Sequence, residues 1–301
     1  MRGFWRRNGF TLGYGALLMA LLAFALLDAF VIPREESYVV DDFGLSAKAE
    51  NPQASPQTAE ITDTSYRDEQ VQVTLETRLL DGTACYIAEV RLADPSCLRT
   101  ALAEDTYGRN IKADTSVIAQ EHDAILAVNG DYYGFRSSGY VLRNGVLYRE
   151  RASDNELLLI DRQGDFTACA AAEISQARLE SGQWWQIFSF GPALVKNGQT
   201  AVGEGDEVEQ AKRSNPRTAI GQIDSLHYVF VVSDGRTESS EGLSLSQLAM
   251  RMQSLGCRTA YNLDGGGSST MVFMGRVVNN PTANGRTISQ REVSDIVYIG
   301  R

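Results

Sequence analysis

Five short turn signals punctuate this chain, each between two apolar runs: Asp81-Gly82, Asn144-Gly145, Gln163-Gly164, Asn197-Gly198 and Met274-Gly275. Asn-Gly and Asp-Gly pairs favour the two-residue hairpin whose central positions both need φ > 0, so they predict neighbouring antiparallel strands. Asp81-Gly82 joins Val71–Leu80 to Cys85–Leu92, Asn144-Gly145 joins Tyr140–Arg143 to Val146–Tyr148, and Asn197-Gly198 follows Ala193–Lys196. Helices are fewer. Between Ser244 and Leu255, Leu245, Leu248, Met252 and Leu255 mark one face, Ser244 and Gln247 form a capping box, and Gly256 supplies the stop. A second helix is predicted from Thr115 to Asp123, just before the apolar strand Ala124–Asn129. No fixed-period repeat is visible. The expected fold is α+β: mixed, mostly antiparallel sheets with a few packed helices in a single domain.

The ends of the chain place that domain. Arg2, Arg6 and Arg7 precede a largely apolar run from Phe10 to Ile32, and Glu35, Glu36, Asp41 and Asp42 follow it. At about 1.5 Å per residue the run can cross a hydrocarbon core of about 30 Å. Basic residues stay on the cytoplasmic side, so a single-pass anchor would leave the remainder outside the cell membrane. The alternative is secretion after signal cleavage at Ala23-Phe24-Ala25. Residues 1–33 therefore read as basic tail and anchor, 34–68 as a linker poor in periodicity, and 69–301 as the folded domain. Across the whole chain 28 basic residues oppose 38 acidic ones, a net charge of −10. That balance argues against nucleic acid as a partner and requires any anionic ligand to be caught by a local cluster of cations.

Four segments carry dense polar, glycine or arginine content at the ends of apolar strands. Asn129-Gly130-Asp131-Tyr132-Tyr133 follows one such strand, and Asn262-Leu263-Asp264-Gly265-Gly266-Gly267-Ser268-Ser269-Thr270 follows another. Three successive glycines let backbone amides approach a ligand or form an anion nest, with Ser268 and Ser269 adding hydroxyls. The turn is neither a Walker loop nor a dinucleotide fingerprint. Arg217 and Thr218 open a strand after Pro216, and Asp234-Gly235-Arg236 closes one. A guanidinium is a planar fork matched to phosphate. His122 and His227 read as structural, so a Ser–His–Asp site has little support. Tyr132, Tyr133 and Phe135 either wall a sugar site or belong to the core. Cys85 and Cys97 flank one extended strand and cannot pair, so most of the four thiols are expected to be buried and unpaired, with Cys169–Cys257 a weak disulfide candidate.

Taken in order, Ala127–Tyr133, Ser189-Phe190-Gly191-Pro192, Asn215–Gly221, Ser233–Arg236 and Asn262–Thr270 resemble the phosphodiester glycosidase family, over residues from about 85 to 299. Bacterial relatives in that family are often labelled exopolysaccharide-biosynthesis proteins. The animal members carry a second glycine where this chain has Asp131. The resemblance implies a hydrolase that breaks the sugar C1–O bond of a sugar-1-phosphodiester in cell-envelope or exopolysaccharide glycans. Asp264 is then the first choice for activating water or attacking C1, with Asp234 and Asp131 next. Arg217, Thr218, Arg236, Gly265, Gly266, Gly267, Ser268 and Ser269 would meet the phosphate, Asn129 and Asn262 the sugar, and Arg291 reaches in from before the last strand. No cofactor is expected, although Asp131, Asp234 and Asp264 together would suit a divalent cation. The competing reading is a membrane-tethered glycan-binding module without catalysis. An esterase or peptidase would need a nucleophile elbow that the chain lacks.

Overall fold

The computed structural model describes residues 13–24, 38–39, 59–179, 181–203, 214–283 and 287–301. The chain divides into two units, residues 1–37 and residues 38–301. In the first, residues 13–24 form a helix whose side chains are exposed. At about 1.5 Å per residue it spans about 18 Å. Among the described residues no helix is long and apolar enough to cross a membrane. The rest of the apolar run, residues 10–12 and 25–32, lies outside the described residues.

In the second unit three antiparallel sheets enclose a common core. The largest has the order Gln199–Thr200, Ala193–Lys196, Thr259–Asn262, Arg217–Asp224, His227–Ser233, Thr83–Leu92, Val71–Leu80, Ser65–Arg67, Glu60–Ile61. A second runs Arg276–Val277, Met271–Phe273, Leu126–Asn129, Asp295–Ile299, Leu98–Leu102, and a third Val146–Arg149, Val141–Arg143, Trp184–Phe188, Glu156–Asp161, Phe166–Ala170. Strand Val71–Leu80 begins with the alternation expected of a half-buried strand: Val71, Val73 and Leu75 inward, Gln72 and Thr74 outward. Leu126–Asn129 and Asp295–Ile299 are buried at every position, because helix Thr115–Glu121 covers their second face through Ile118 and Ala119. Helix Leu245–Ser254 does the same for the large sheet through Leu245, Leu248, Ala249 and Met252.

All five turn signals lie between paired strands, with φ near +50° at Asp81, Asn144, Asn197 and Met274. The fifth, Gln163-Gly164, separates Glu156–Asp161 from Phe166–Ala170. The capping box of Ser244 and Gln247 is also present, with both of its hydrogen bonds formed.

One expectation is corrected. The linker does not extend to residue 68: Glu60–Ile61 and Ser65–Arg67 add two strands to the large sheet, and Tyr38–Val39 pairs with Thr106–Tyr107. Tyr66 is core, and its hydroxyl donates to Asp68 Oδ2 at 2.6 Å and accepts from Arg301 Nη2 at 2.6 Å. The thiols are buried and unpaired, so the weak Cys169–Cys257 candidate does not form. All four cysteines are free and buried, with Cys169 under the third sheet and Cys257 beneath helix Leu245–Ser254, in separate apolar clusters. Burial pushes the Cys257 thiol up to about 12.

Because Tyr66 fills the core, Tyr66→Ala should lower the unfolding free energy by roughly 3–5 kcal/mol, as large-to-small core truncations do. Urea unfolding of the variant checks this; a linker residue would leave the midpoint unmoved.

Candidate active site

Strand polarity brings four of the five motifs to one place. Arg217–Asp224 runs antiparallel to both of its neighbours, so its first residues lie beside the last residues of His227–Ser233 and Thr259–Asn262. Asn129, at the end of its own strand, closes the group from the second sheet. Its side chain is fully buried: Nδ2 donates to the Asp264 carbonyl at 2.7 Å, and Oδ1 accepts from Thr218 Oγ1 at 2.8 Å and from the Thr270 amide at 3.3 Å. Asn129 and Thr218, expected to meet substrate, thus fasten the two sheets together.

Asp264 emerges at the edge of this assembly with 12% of its side chain exposed. Arg291 Nη2 donates to Asp264 Oδ2 at 2.9 Å and to Ser268 Oγ at 2.6 Å, and the Gly265 amide donates to Oδ1 at 2.9 Å. Burial raises the Asp264 pKa above the usual carboxylate range, against the pull of Arg291 and of the hydrogen bonds from Ser268 and Gly265. Arg236 completes the cluster. It sits in the left-handed region at φ 61°, and its guanidinium packs so tightly on Gly266 that a Cβ there would lie 2.8 Å from Nη2. Partial burial and then the charge of Arg291 pull the Arg236 pKa below its ordinary value, while Asp264 holds it up. Asp264, Arg236 and Arg291 are therefore one electrostatic group.

The glycine turn works differently from the expected nest. The amides of Gly265 and Gly266 are used by Asp264 Oδ1 and by the Pro216 carbonyl at 2.8 Å. A Cβ on Gly265 would meet Pro216 O at 2.9 Å, and one on Gly267 would meet Ala283 O at 2.7 Å. The close approach that requires glycine here is that of protein backbone.

The three aspartates do not converge. Asp131 is buried, accepting from Arg143 Nη2 at 2.8 Å and from the Ser189 amide at 2.9 Å. Asp234 is buried too, accepting from the Asn280 amide at 2.8 Å and from Tyr86 and Asn280 side chains. Among the described residues no three His, Cys, Asp or Glu side chains come together as a metal would need, so Asp131, Asp234 and Asp264 do not form the alternative cation site. Arg217 is buried with Nε donating to the Leu243 carbonyl at 2.8 Å, behind the exposed cluster. Asn262 donates to Gly191 O at 2.8 Å, while its Oδ1 and the hydroxyls of Ser269 and Thr270 are buried without a hydrogen-bond partner among the described residues.

Residues 122–300 match the family described as phosphodiester glycosidase. The chain belongs to that family. It is 28% identical over 182 residues to the SPbeta prophage-derived uncharacterized protein YomE of Bacillus subtilis, covering 58% of this chain and 28% of that protein. It is also 28% identical over 188 residues to human N-acetylglucosamine-1-phosphodiester alpha-N-acetylglucosaminidase, covering 57% of this chain and 36% of that protein. The match thus spans about a third of the length of these relatives. In fold it is similar to the catalytic domain of the zebrafish N-acetylglucosamine-1-phosphodiester alpha-N-acetylglucosaminidase, with TM-score 0.61, 20% identity, and coverage of 81% of this chain and 88% of that one. A hypothetical protein from Synechocystis aligns with TM-score 0.51 at 16% identity, over 77% of this chain and 62% of that one.

In this phosphodiester glycosidase fold, sequence reasoning missed a buried ion triad beside the site. Arg143 bridges Asp131 and Asp295, donating to Asp295 Oδ2 at 2.9 Å, and all three side chains are about 1–2% exposed. Gly130 is obligatory there, since a Cβ would lie 2.0 Å from Asp295 Oδ1. Burial pushes the Asp295 carboxyl up to about 7, with Arg143 opposing and Asp131 adding to the rise. Arg143 ends a strand before a turn, where an arginine ordinarily faces water, so nothing local announced its partners.

Removing Arg143 leaves two uncompensated buried carboxylates, so Arg143→Met should destabilise the protein by about 3–5 kcal/mol. Asp295, raised in the fold, favours folding below the unfolded-state pKa and loses that contribution as pH rises through about 7. Urea midpoints measured from pH 4 to pH 8 should therefore move in favour of Asp295→Asn relative to wild type as pH increases.

Proposed function

We propose that this protein hydrolyses the C1–O bond of a sugar-1-phosphodiester, with Asp264 as the reacting carboxylate. The observation that carries the reading is the Asp264–Arg291–Arg236 group, a largely desolvated carboxylate beside two guanidinium ions at the convergence of the family's motifs. Either water bonds to C1 as Asp264 takes its proton, or Asp264 bonds to C1 and water then displaces it, giving up its proton. The phosphate oxygen takes the electron pair of the broken bond and leaves as a phosphomonoester. Such a leaving group needs little protonation, because the second pKa of a phosphomonoester is only about 6. What it needs is preorganised positive charge, which Arg236 and Arg291 supply and which Arg217 reinforces from behind. The family assignment and the name of the human relative support a sugar-phosphate glycan as substrate. The basic, apolar and acidic order of residues 2–42 supports a body held outside the cell membrane, facing envelope or exopolysaccharide glycans.

The test is sugar release from a panel of sugar-1-phosphodiesters. Asp264→Asn should lower kcat by about 10³-fold with the fold intact, and Arg236→Ala by about 10²-fold. An active Asp264→Asn would remove Asp264 as the reacting carboxylate, and no turnover by wild type across the panel with glycan binding retained would return the protein to the glycan-binding alternative. Since the carboxylate must be ionised and its pKa is raised, the acidic limb of kcat/KM should lie above the ordinary carboxylate range. Arg291 lowers that pKa, so Arg291→Ala should move the limb to higher pH still.

A further inference from the structure

Tyr132 and Phe135 are stacked, with ring centroids 4.5 Å apart and planes at 18°, and both are partly exposed. Tyr133, between them in sequence, takes the opposite course. It is buried and stacks on Tyr107 at 5.4 Å. The separation has a backbone cause. Tyr132 occupies the left-handed region at φ 67° and ψ 22°, which a bulky residue adopts only against strain. That turn sends Tyr133 into the core and leaves the Tyr132 ring at the mouth of the site, where the Arg291 guanidinium lies 6.0 Å from its centroid. The same Arg291 holds Asp264 at 2.9 Å. The turn is fixed from behind, because Asp131 is pinned by Arg143 and by the Ser189 amide.

A glycine would occupy this backbone position without strain, and the Tyr132 ring contributes no described hydrogen bond to the core. An aromatic pair beside a charged cluster offers an apolar wall with a polar end, the surface a sugar ring requires, since a pyranose exposes a patch of C–H groups on one face and hydroxyls at its rim.

We infer that Tyr132, backed by Phe135, is the surface on which a six-membered pyranose stacks with its anomeric carbon toward Asp264. The inference rests on the proposed reaction for its orientation and deepens it by naming the residue that seats the sugar ring. A ring presenting a continuous C–H face is accepted, and furanosyl or sugar-free phosphodiesters lose this contact. Tyr132 is a binding residue. It acts on substrate and transition state alike, so its loss appears in KM more than in kcat.

The test uses the full chain as wild type, Tyr132→Phe, Tyr132→Ala and Tyr132→Gly, with two readouts. The first is saturation-transfer NMR with methyl α-N-acetylglucosaminide and methyl α-glucoside as probes. Ring C–H signals should be present for wild type and Tyr132→Phe, and absent for Tyr132→Ala and Tyr132→Gly. The second is turnover of a pyranosyl-1-phosphodiester, where KM should rise about tenfold in the Ala and Gly variants with kcat within about threefold. Tyr132→Gly relieves the backbone, so it should melt no lower than Tyr132→Ala and shows that lost binding is not lost folding. Sugar signals or an unchanged KM in the Gly variant would overturn the inference, as would the absence of sugar signals from wild type. Sugar signals that depend on Tyr132, with no turnover by wild type, would sink the proposed hydrolysis and leave the stacking surface standing.

Discussion

The Asn129 carboxamide is the joint on which the site is built. Its donor end reaches the backbone of Asp264 in the large sheet, and its acceptor end takes the Thr218 hydroxyl and the Thr270 amide. Each bond alone contributes about 1 kcal/mol net, yet in a water-free environment the cost of leaving any of these groups unpaired is larger. A buried carboxamide that satisfies a carbonyl, a hydroxyl and an amide together permits one relative placement of the two sheets. Asp264 inherits its position from that placement.

Three aspartates near the same end of the sheets then diverge by what surrounds them. Asp131 is ion-paired in the interior, and Asp234 is bound by Tyr86 and the Asn279–Asn280 turn. Only Asp264 among the three combines strong desolvation, a partly exposed ion-pair partner in Arg291 and an opening to solvent. Burial without a fixed counterion raises a carboxylate pKa, and a nearby guanidinium lowers it. At Asp264 burial prevails, and it is on this carboxylate that the proposed reaction turns.

How much of this the sequence disclosed follows from the range of the signals. Hairpin turns and the helix cap depend on residues two or three apart, so Asp81-Gly82 and Ser244–Gln247 could be read directly. In the motif at residues 262–270 the glycines read as a ligand nest, whereas in the structure they accommodate Pro216, Arg236 and Ala283. Residues 59–68 looked like linker because the two strands they form are only two and three residues long, and the contact that ties Tyr66 down comes from the distant Arg301. The Asp131–Arg143–Asp295 triad was invisible for the same reason, its members being 12 and 152 positions apart. Local chemistry was legible, and long-range pairing was not.

The sign of the whole molecule makes the local cations matter more. With a net charge of −10 the protein repels an anionic glycan at a distance, but screening over about 8 Å at physiological ionic strength leaves the last approach to nearby groups. There Arg291 is neutralised by Asp264, and Arg236 remains as the uncompensated charge of the group. One positive charge balances a phosphodiester, which carries one negative charge. As the C1–O bond breaks, the departing phosphate moves toward the charge of a monoester, about −1.5 to −2. In the proposed reaction the second guanidinium therefore meets its match only as the bond opens, so the attraction grows toward the transition state, which is the condition for binding energy to accelerate the chemical step.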